Sequence, residues 1–404
     1  MANEETSDRS GLIAAALTGF VAITFLIAAQ WLVSNWALLT ARPAPPPDLV
    51  VENPARNVKR TPQIAVSQRE RYDQYDDIGA ILTEMGAGYT FDPLPLRQLG
   101  DAERLARYRV LFLGCAAEMA PATAPMPALR KFESVSILKD PAYLERVRSS
   151  LSSFVENGGS IYASDWASSL LELAFARQIS FLSQRIQAQR VEARVLDQGL
   201  VDLIGPKLDL SFDTDLWVVP ESAGMGTAYL EGDIAHPDGT RLIRPLLVSF
   251  KHGKGSVIFT SFHNEKQVSE KERALLKYLV LKPIIAQAAE SSQQILKSQN
   301  FTLSKESLFS TGSGGDGHWF KYPANAGAEL TFVLSWNDPG ADKARLKLQV
   351  KTPAGQMLEA DGETPPVRVA VPRVDQAGDY EYNVVPVHVP FSNFPYVVTV
   401  GVKQ

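Results

Sequence analysis

Two short stretches of this 404-residue chain bring together groups able to do nucleophilic or acid–base chemistry. Ser164 and Asp165 follow the apolar run Ser160–Ala163, and His263 and Glu265 follow the run Gly255–Ser261. A hydroxyl, an imidazole and a carboxylate can form a relay. His263 would take the proton of Ser164, Glu265 would hold the imidazole, and backbone N–H groups at the start of the next helix would stabilise an oxyanion. Each residue also has a plainer reading. The turn lacks the flanking glycines of a strained nucleophile turn. Asp165 fits the N-cap of a helix beginning at Trp166. His263 fits a hydrogen-bonded loop histidine, and Glu265 a carboxylate near a helix N-terminus, where its charge is favourable. Cys115 follows a different run, Arg109–Gly114, and reads as a small packed residue.

Other chemistry is sparse. With a single cysteine there is no intrachain disulfide, and no cysteine-based zinc site is expected. No HExxH pair occurs, so no metal is expected. Gly224-Met-Gly226 and Gly253-Lys-Gly255 read as isolated turns, so no phosphate loop and no cofactor are expected. The net charge of −5, with no basic stripe, argues against nucleic acid. Asp209, Asp213 and Asp215 alternate along the pattern Lys207–Val219 and read as one solvated face.

The elements that must position these residues belong to an α/β domain expected over 61–296. Gln63–Ser67, Arg109–Gly114, Ser160–Ala163 and Gly255–Ser261 read as buried strands. Tyr75–Gly86, Ala142–Asn157, Ala167–Gln189 and Ser269–Gln294 read as helices, the second stopped by Gly158-Gly159. Alternating strands and helices predict a largely parallel sheet covered on both faces. Arg177, Arg185 and Arg190 would ride on the third helix.

This order resembles the class I glutamine amidotransferase-like fold, a flavodoxin-like α/β arrangement, with its trehalose-utilisation (ThuA-like) relatives. The likeness is carried by the opening strand–helix–strand, by Gly158-Gly-Ser-Ile-Tyr-Ala-Ser-Asp-Trp166 and by Phe262-His-Asn-Glu265, similar to the family's Phe-His-Pro-Glu. It implies a sharp turn at Ser164-Asp165 presenting the nucleophile, with His263 as base and Glu265 orienting it. The family's cysteine is missing from that turn, so glutaminase activity is not expected.

Between Arg9 and Arg42 there are 32 consecutive uncharged residues. The apolar stretch Leu12–Val33 would reach about 33 Å as a helix, enough to cross a bilayer. Residues 1–10 thus read as a tail, 11–39 as a single transmembrane helix and 40–60, with its prolines Arg42-Pro-Ala-Pro-Pro-Pro47, as a stiff linker. The alternatives are a signal peptide and a buried core helix. One basic residue precedes the span and four follow closely, which favours a cytoplasmic bulk.

Residues 297–317 read as a linker containing the Gly/Ser-rich Ser310–Gly317, and 318–404 as an all-β sandwich. Its strands are expected at Glu329–Trp336, Ala344–Lys351, Val367–Val371, Tyr380–Val387 and Tyr396–Val402. The layout resembles bacterial pre-peptidase C-terminal (PPC-like) jelly-roll domains at Leu334-Ser-Trp-Asn-Asp338, Thr352-Pro-Ala-Gly355 and Ala377-Gly-Asp-Tyr380. That resemblance implies an exported, non-catalytic module, and hence a single-pass protein of the bacterial inner membrane with its bulk outside the cytoplasm, against the charge count. Asp338 and Asp342 are too few carboxylates for a calcium site. Val385–Pro395 reads as an exposed loop able to meet a partner. The function expected is a membrane-anchored, non-catalytic scaffold or accessory subunit with protein partners. The alternative is a membrane-bound hydrolase using Ser164 or Asp165 with His263 and Glu265.

Overall fold

The computed structural model describes residues 63–68, 76–115, 140–212, 215–263, 269–311, 319–337 and 343–404. The expected tail, transmembrane helix and Pro-rich linker lie outside them, as do Glu265, Asp213, Asp338, Asp342 and most of Ser310–Gly317. Among the described residues, no helix is long and apolar enough to cross a membrane.

The α/β part is built on strands β1 (Ile64–Gln68), β2 (Asp92–Pro95), β3 (Val110–Leu113), β4 (Ser160–Ser164), β5 (Gln189–Val195), β6 (Lys207–Phe212), β7 (Thr227–Ala235), β8 (Arg241–His252) and β9 (Gly255–Thr260). They form one sheet in the order β2-β1-β3-β4-β9-β8-β7-β5-β6. The first five are parallel, and this half has the 2-1-3-4-5 order of flavodoxin-like sheets, with its switch point between β1 and β3. The buried runs of β3 and β4 have no exposed position, as strands covered on both faces require.

The other half of the sheet is antiparallel, where a largely parallel sheet was expected. Connection length explains this. Only Gly253-Lys254 separate β8 from β9, and such a turn can join only antiparallel neighbours. Gly253 supplies the positive φ of 56° that the turn needs. β6 is the edge strand, and Asp209 is exposed on it, as its alternation predicts.

Helices α1 (Ile78–Met85), α2 (Ala102–Leu105), α3 (Pro141–Glu156), α4 (Ser168–Phe175), α5 (Gln198–Ile204) and α6 (Glu270–Ser298) complete this part. Asp77, Asp101, Asp140, Asp197 and Ser269 cap five of them through side-chain oxygens. The helix expected over 167–189 ends at Phe175. After it the chain is extended, bridging Phe181 to Pro220 and Ile186 to Trp217, and then enters β5. The apolar residues Val191, Ala193 and Val195 recur every second position, a strand period. Arg177, Arg185 and Arg190 therefore share no helix.

The C-terminal part consists of two four-stranded antiparallel sheets. β10 (Thr302–Ser310), β17 (Pro395–Lys403), β12 (Glu329–Ser335) and β15 (Val367–Val371) form one. β11 (Phe320–Ala324), β16 (Gly378–His388), β13 (Arg345–Lys351) and β14 (Met357–Gly362) form the other. They face each other as a sandwich: Phe309 stacks on Phe320 at 4.1 Å, and Phe332 meets Tyr382 at 5.5 Å.

Residues 302–310, expected as linker, are strand β10, paired with β17 along its length. Burial explains the difference, since Ser307, Leu308, Phe309 and Ser310 are all buried. Helix α6 packs against β4 and β9 on one side and against β10, β12 and β17 on the other. Two ion pairs cross the same joint. Lys305 of β10, only 5% exposed, pairs with Asp202 of α5. Lys282 of α6 lies 3.8 Å from Glu306 of β10 and 4.4 Å from the Tyr229 ring centroid.

The loop read as a partner surface docks on the same chain. Phe391 meets Tyr89 edge-on at 5.6 Å, Tyr89 Oη donates to the Asn393 carbonyl, and Asn393 Nδ2 donates to the Met85 carbonyl at 3.0 Å. Gly88 allows this approach, because a Cβ there would run into the Phe391 ring.

Candidate functional site

Three strand ends and the approach to α1 converge at the carboxyl edge of the parallel half-sheet. Cys115 lies two residues beyond β3, Ser164-Asp165 at the end of β4, His263 three residues beyond β9 and Asp76 two residues before α1. Sites of open α/β sheets form at this edge. β4 and β9 are neighbours, with Ser164 opposite Thr260, so the two stretches singled out from the sequence meet. Glu265 lies outside the described residues.

Asp165 occupies the turn between strand and helix with φ of 42°. Aspartate tolerates the left-handed region better than most residues, but the conformation still carries strain, and such positions concentrate at functional sites. Asp165 is not a helix cap: α4 starts three residues later, without a side-chain cap. Its carboxylate is used across the site instead. Oδ1 accepts from the Val218 N–H at 2.7 Å, and Oδ2 is 3.1 Å from His263 Nε2 and 3.5 Å from Cys115 Sγ. Asp165 and Cys115 are 1% exposed and His263 7%.

Ser164 faces elsewhere. Its hydroxyl donates to Asp76 Oδ2 at 2.5 Å and accepts from the Cys115 N–H at 3.0 Å. Asp76 and Ser164 are fully buried. Gly114 lets β3 pass this close to Asp76, since a Cβ there would lie 2.7 Å from the Asp76 carbonyl oxygen. The Gly114 N–H donates to Ser67 Oγ at 3.1 Å.

Electrostatics follow from this packing. Burial disfavours an imidazolium at His263, but the hydrogen bond to Asp165 and the contact with Cys115 outweigh it, and its pKa is pushed up to about 12. Burial pushes the Cys115 thiol up to about 12, and the Asp165 charge acts in the same direction against the hydrogen bond to His263. The cluster thus sets the Asp165 carboxyl group against the His263 imidazole, with the Cys115 thiol beside them. Arg185 is held below the usual arginine range by burial, with the charges of Asp165 and Glu172 acting the other way.

The fold therefore unites Ser164, Asp165 and His263 and adds two residues that sequence reasoning missed, Asp76 and Cys115. Cys115 carried a signal: it follows a buried strand just as Ser164-Asp165 does, and adjacent parallel strands end side by side. The expectation of no metal rested on local spacing, whereas Cys115, Asp165 and His263 are the described His, Cys and carboxylate residues whose donor atoms all lie within 4.8 Å of one another. A separate groove of about 760 Å³, between α1, α6 and β10, is lined mainly by apolar groups such as Ile81, Leu281 and Phe309 and contains none of these residues.

No protein-family model matches the chain, and no curated protein matches it. Glutamine amidotransferase class I-like proteins stand among its structural neighbours. The chain is similar to a glutamine amidotransferase from Thermotoga maritima, at 11% identity and a TM-score of 0.34, over 59% of this chain and 86% of that one. It is also similar to a β-galactosidase from Bacillus circulans sp. alkalophilus, at 12% identity and a TM-score of 0.34, over 83% of this chain and 41% of that one. A β-galactosidase from the haloarchaeon Halorubrum lacusprofundi matches at 14% identity and a TM-score of 0.29, over 78% and 40%. This chain spans less than half the length of either β-galactosidase.

Proposed function

We propose that this chain is a membrane-anchored, non-catalytic interaction subunit, built on an amidotransferase-like α/β domain that has lost its nucleophile and joined to a PPC-like β-sandwich. The observation that carries this reading is the pairing at the β4 turn. The Ser164 hydroxyl donates a hydrogen bond to Asp76 at 2.5 Å, while Nε2 of His263 is engaged by Asp165 at 3.1 Å. A serine nucleophile needs the opposite arrangement, with its hydroxyl on the imidazole. Cys115 does not replace it. The Asp165 carboxylate cancels the imidazolium that would otherwise draw a thiolate out, and burial disfavours the thiolate further.

The apolar run 11–39 supplies the tether, and the sandwich, in this reading extracytoplasmic, supplies contact surface for protein partners. The alternative hydrolase, using Ser164 or Asp165 with His263 and Glu265, has one feature in its favour: the strained turn at Asp165 within reach of His263.

Activity-directed probes separate the two. The full chain, extracted from membranes in mild detergent, should leave Ser164 unlabelled by a fluorophosphonate and Cys115 unlabelled by iodoacetamide until it is denatured. Cross-linking in intact membranes should recover it in an assembly with other proteins. Native labelling of Ser164, or a chain that stays monomeric in the membrane, overturns the proposal.

A further inference from the structure

Cys115, Asp165 and His263 end three adjacent strands and present three different donor atoms to one point. All three atoms lie within 4.8 Å of one another, close enough to share one ion. With bonds of about 2.3 Å to sulfur and about 2.0–2.2 Å to nitrogen and oxygen, a tetrahedral ion sets nitrogen–oxygen edges of about 3.3 Å and sulfur–oxygen edges of about 3.5 Å. Here Nε2 of His263 is 3.1 Å, and Sγ of Cys115 3.5 Å, from Oδ2 of Asp165.

We propose that Cys115, Asp165 and His263 bind one divalent transition-metal ion of the zinc class. Three protein ligands leave a fourth position for water or a polar group of a ligand. A thiolate with an imidazole selects zinc or cobalt over magnesium or calcium, which require oxygen shells.

The surroundings fit that role. Metal ligands are held by outer hydrogen bonds, and both the carboxylate and the cysteine have one. The Val218 N–H holds Oδ1 of Asp165 at 2.7 Å and turns Oδ2 toward the other two donors. Ser164 Oγ accepts the Cys115 N–H at 3.0 Å and is itself fixed by Asp76. A thiolate, a carboxylate and a dication sum to zero charge, which suits residues 1–7% exposed. On binding, metal–sulfur, metal–nitrogen and metal–oxygen bonds replace bonds from the ion to water, and protons held on the thiol and the imidazole leave to solvent. The ligands stand 50 and 98 positions apart, so the ion would pin β3, β4 and β9 together. This inference does not need the scaffold reading, because strand order brings the three donors together whatever the chain does.

The test uses the full chain in detergent, stripped with a chelator and titrated with cobalt(II) chloride. One equivalent should bind, giving the visible bands of a tetrahedral ion and a near-ultraviolet thiolate-to-cobalt band, both removed by added zinc. Cys115→Ser should abolish the near-ultraviolet band. Ser164→Ala should keep it and weaken affinity by roughly 10–100-fold, as loss of an orienting partner does. If the variants do not fold, zinc-edge X-ray absorption of the wild-type chain decides the matter, one sulfur in a shell otherwise of nitrogen and oxygen being expected. Absence of the thiolate band in the wild type, its survival in folded Cys115→Ser, or a zinc shell without sulfur overturns the proposal.

Discussion

Oδ2 of Asp165 lies 3.1 Å from Nε2 of His263, across 98 positions of sequence and in a site almost sealed from solvent. The contact joins the ends of two adjacent parallel strands, β4 and β9. Its contribution can be measured separately from the strain of the turn.

Asp165→Asn keeps the left-handed backbone tolerable and keeps an acceptor for Val218, but leaves the buried imidazolium without its counter-charge. A loss of about 1–3 kcal/mol in denaturant unfolding is expected. Asp165→Ala should lose about 1–2 kcal/mol more, because alanine pays for the positive φ. Equal losses would mean that the turn relaxes when the side chain goes.

Ser164→Ala tests whether the hydroxyl is structural. It removes an acceptor from the Cys115 N–H and a donor from the buried Asp76 carboxylate. Destabilisation of about 2 kcal/mol is expected from the two buried hydrogen bonds lost. A neutral result in equilibrium unfolding would mean that the hydroxyl is not needed to hold Asp76, and would reopen its reading as a nucleophile.

The docked loop gives a steric prediction. Gly88→Ala should cost about 1–3 kcal/mol through collision with Phe391. Phe391→Leu introduced with it should recover part of that loss. Additive effects in thermal melts of the four proteins would show that the loop does not sit on residues 87–89.

At the joint, Lys305→Met should destabilise the chain by about 3 kcal/mol, because it removes the buried partner of the Asp202 carboxyl group. Adding Asp202→Leu should restore most of the loss, since an apolar pair can replace a buried ion pair. Hydrogen exchange across 299–311 should report the same order. Protection unchanged in the single variant would show that the pair does not hold the joint.

Four of the five parallel strands were legible because they are apolar runs between helical stretches with clear caps and stops; β2, four residues with two prolines, was not. The antiparallel half was not, because hairpin pairing depends on which neighbour a strand meets. The over-long third helix came from reading Arg177–Gln189 by composition, although Val191, Ala193 and Val195 just beyond already carry a strand period. β10 was hidden by the Gly/Ser-rich stretch beside it. At the site, Ser164, Asp165 and His263 were visible as residues after strands. Their partnering was not visible: Cys115 enters through strand order, which sets β3 beside β4, and Asp76 through the segment that follows β1, the neighbour of β3.

Only Gln299, Asn300 and Phe301 separate the end of α6 from the start of β10, and Leu296 presses on Gly401, where a Cβ would stand 2.5 Å from its methyl. The last helix of one half is therefore also the seat of the other. Through its contacts with β4 and β9 on one side and β10, β12 and β17 on the other, α6 ties the sandwich to the strands that lead to Asp165 and His263.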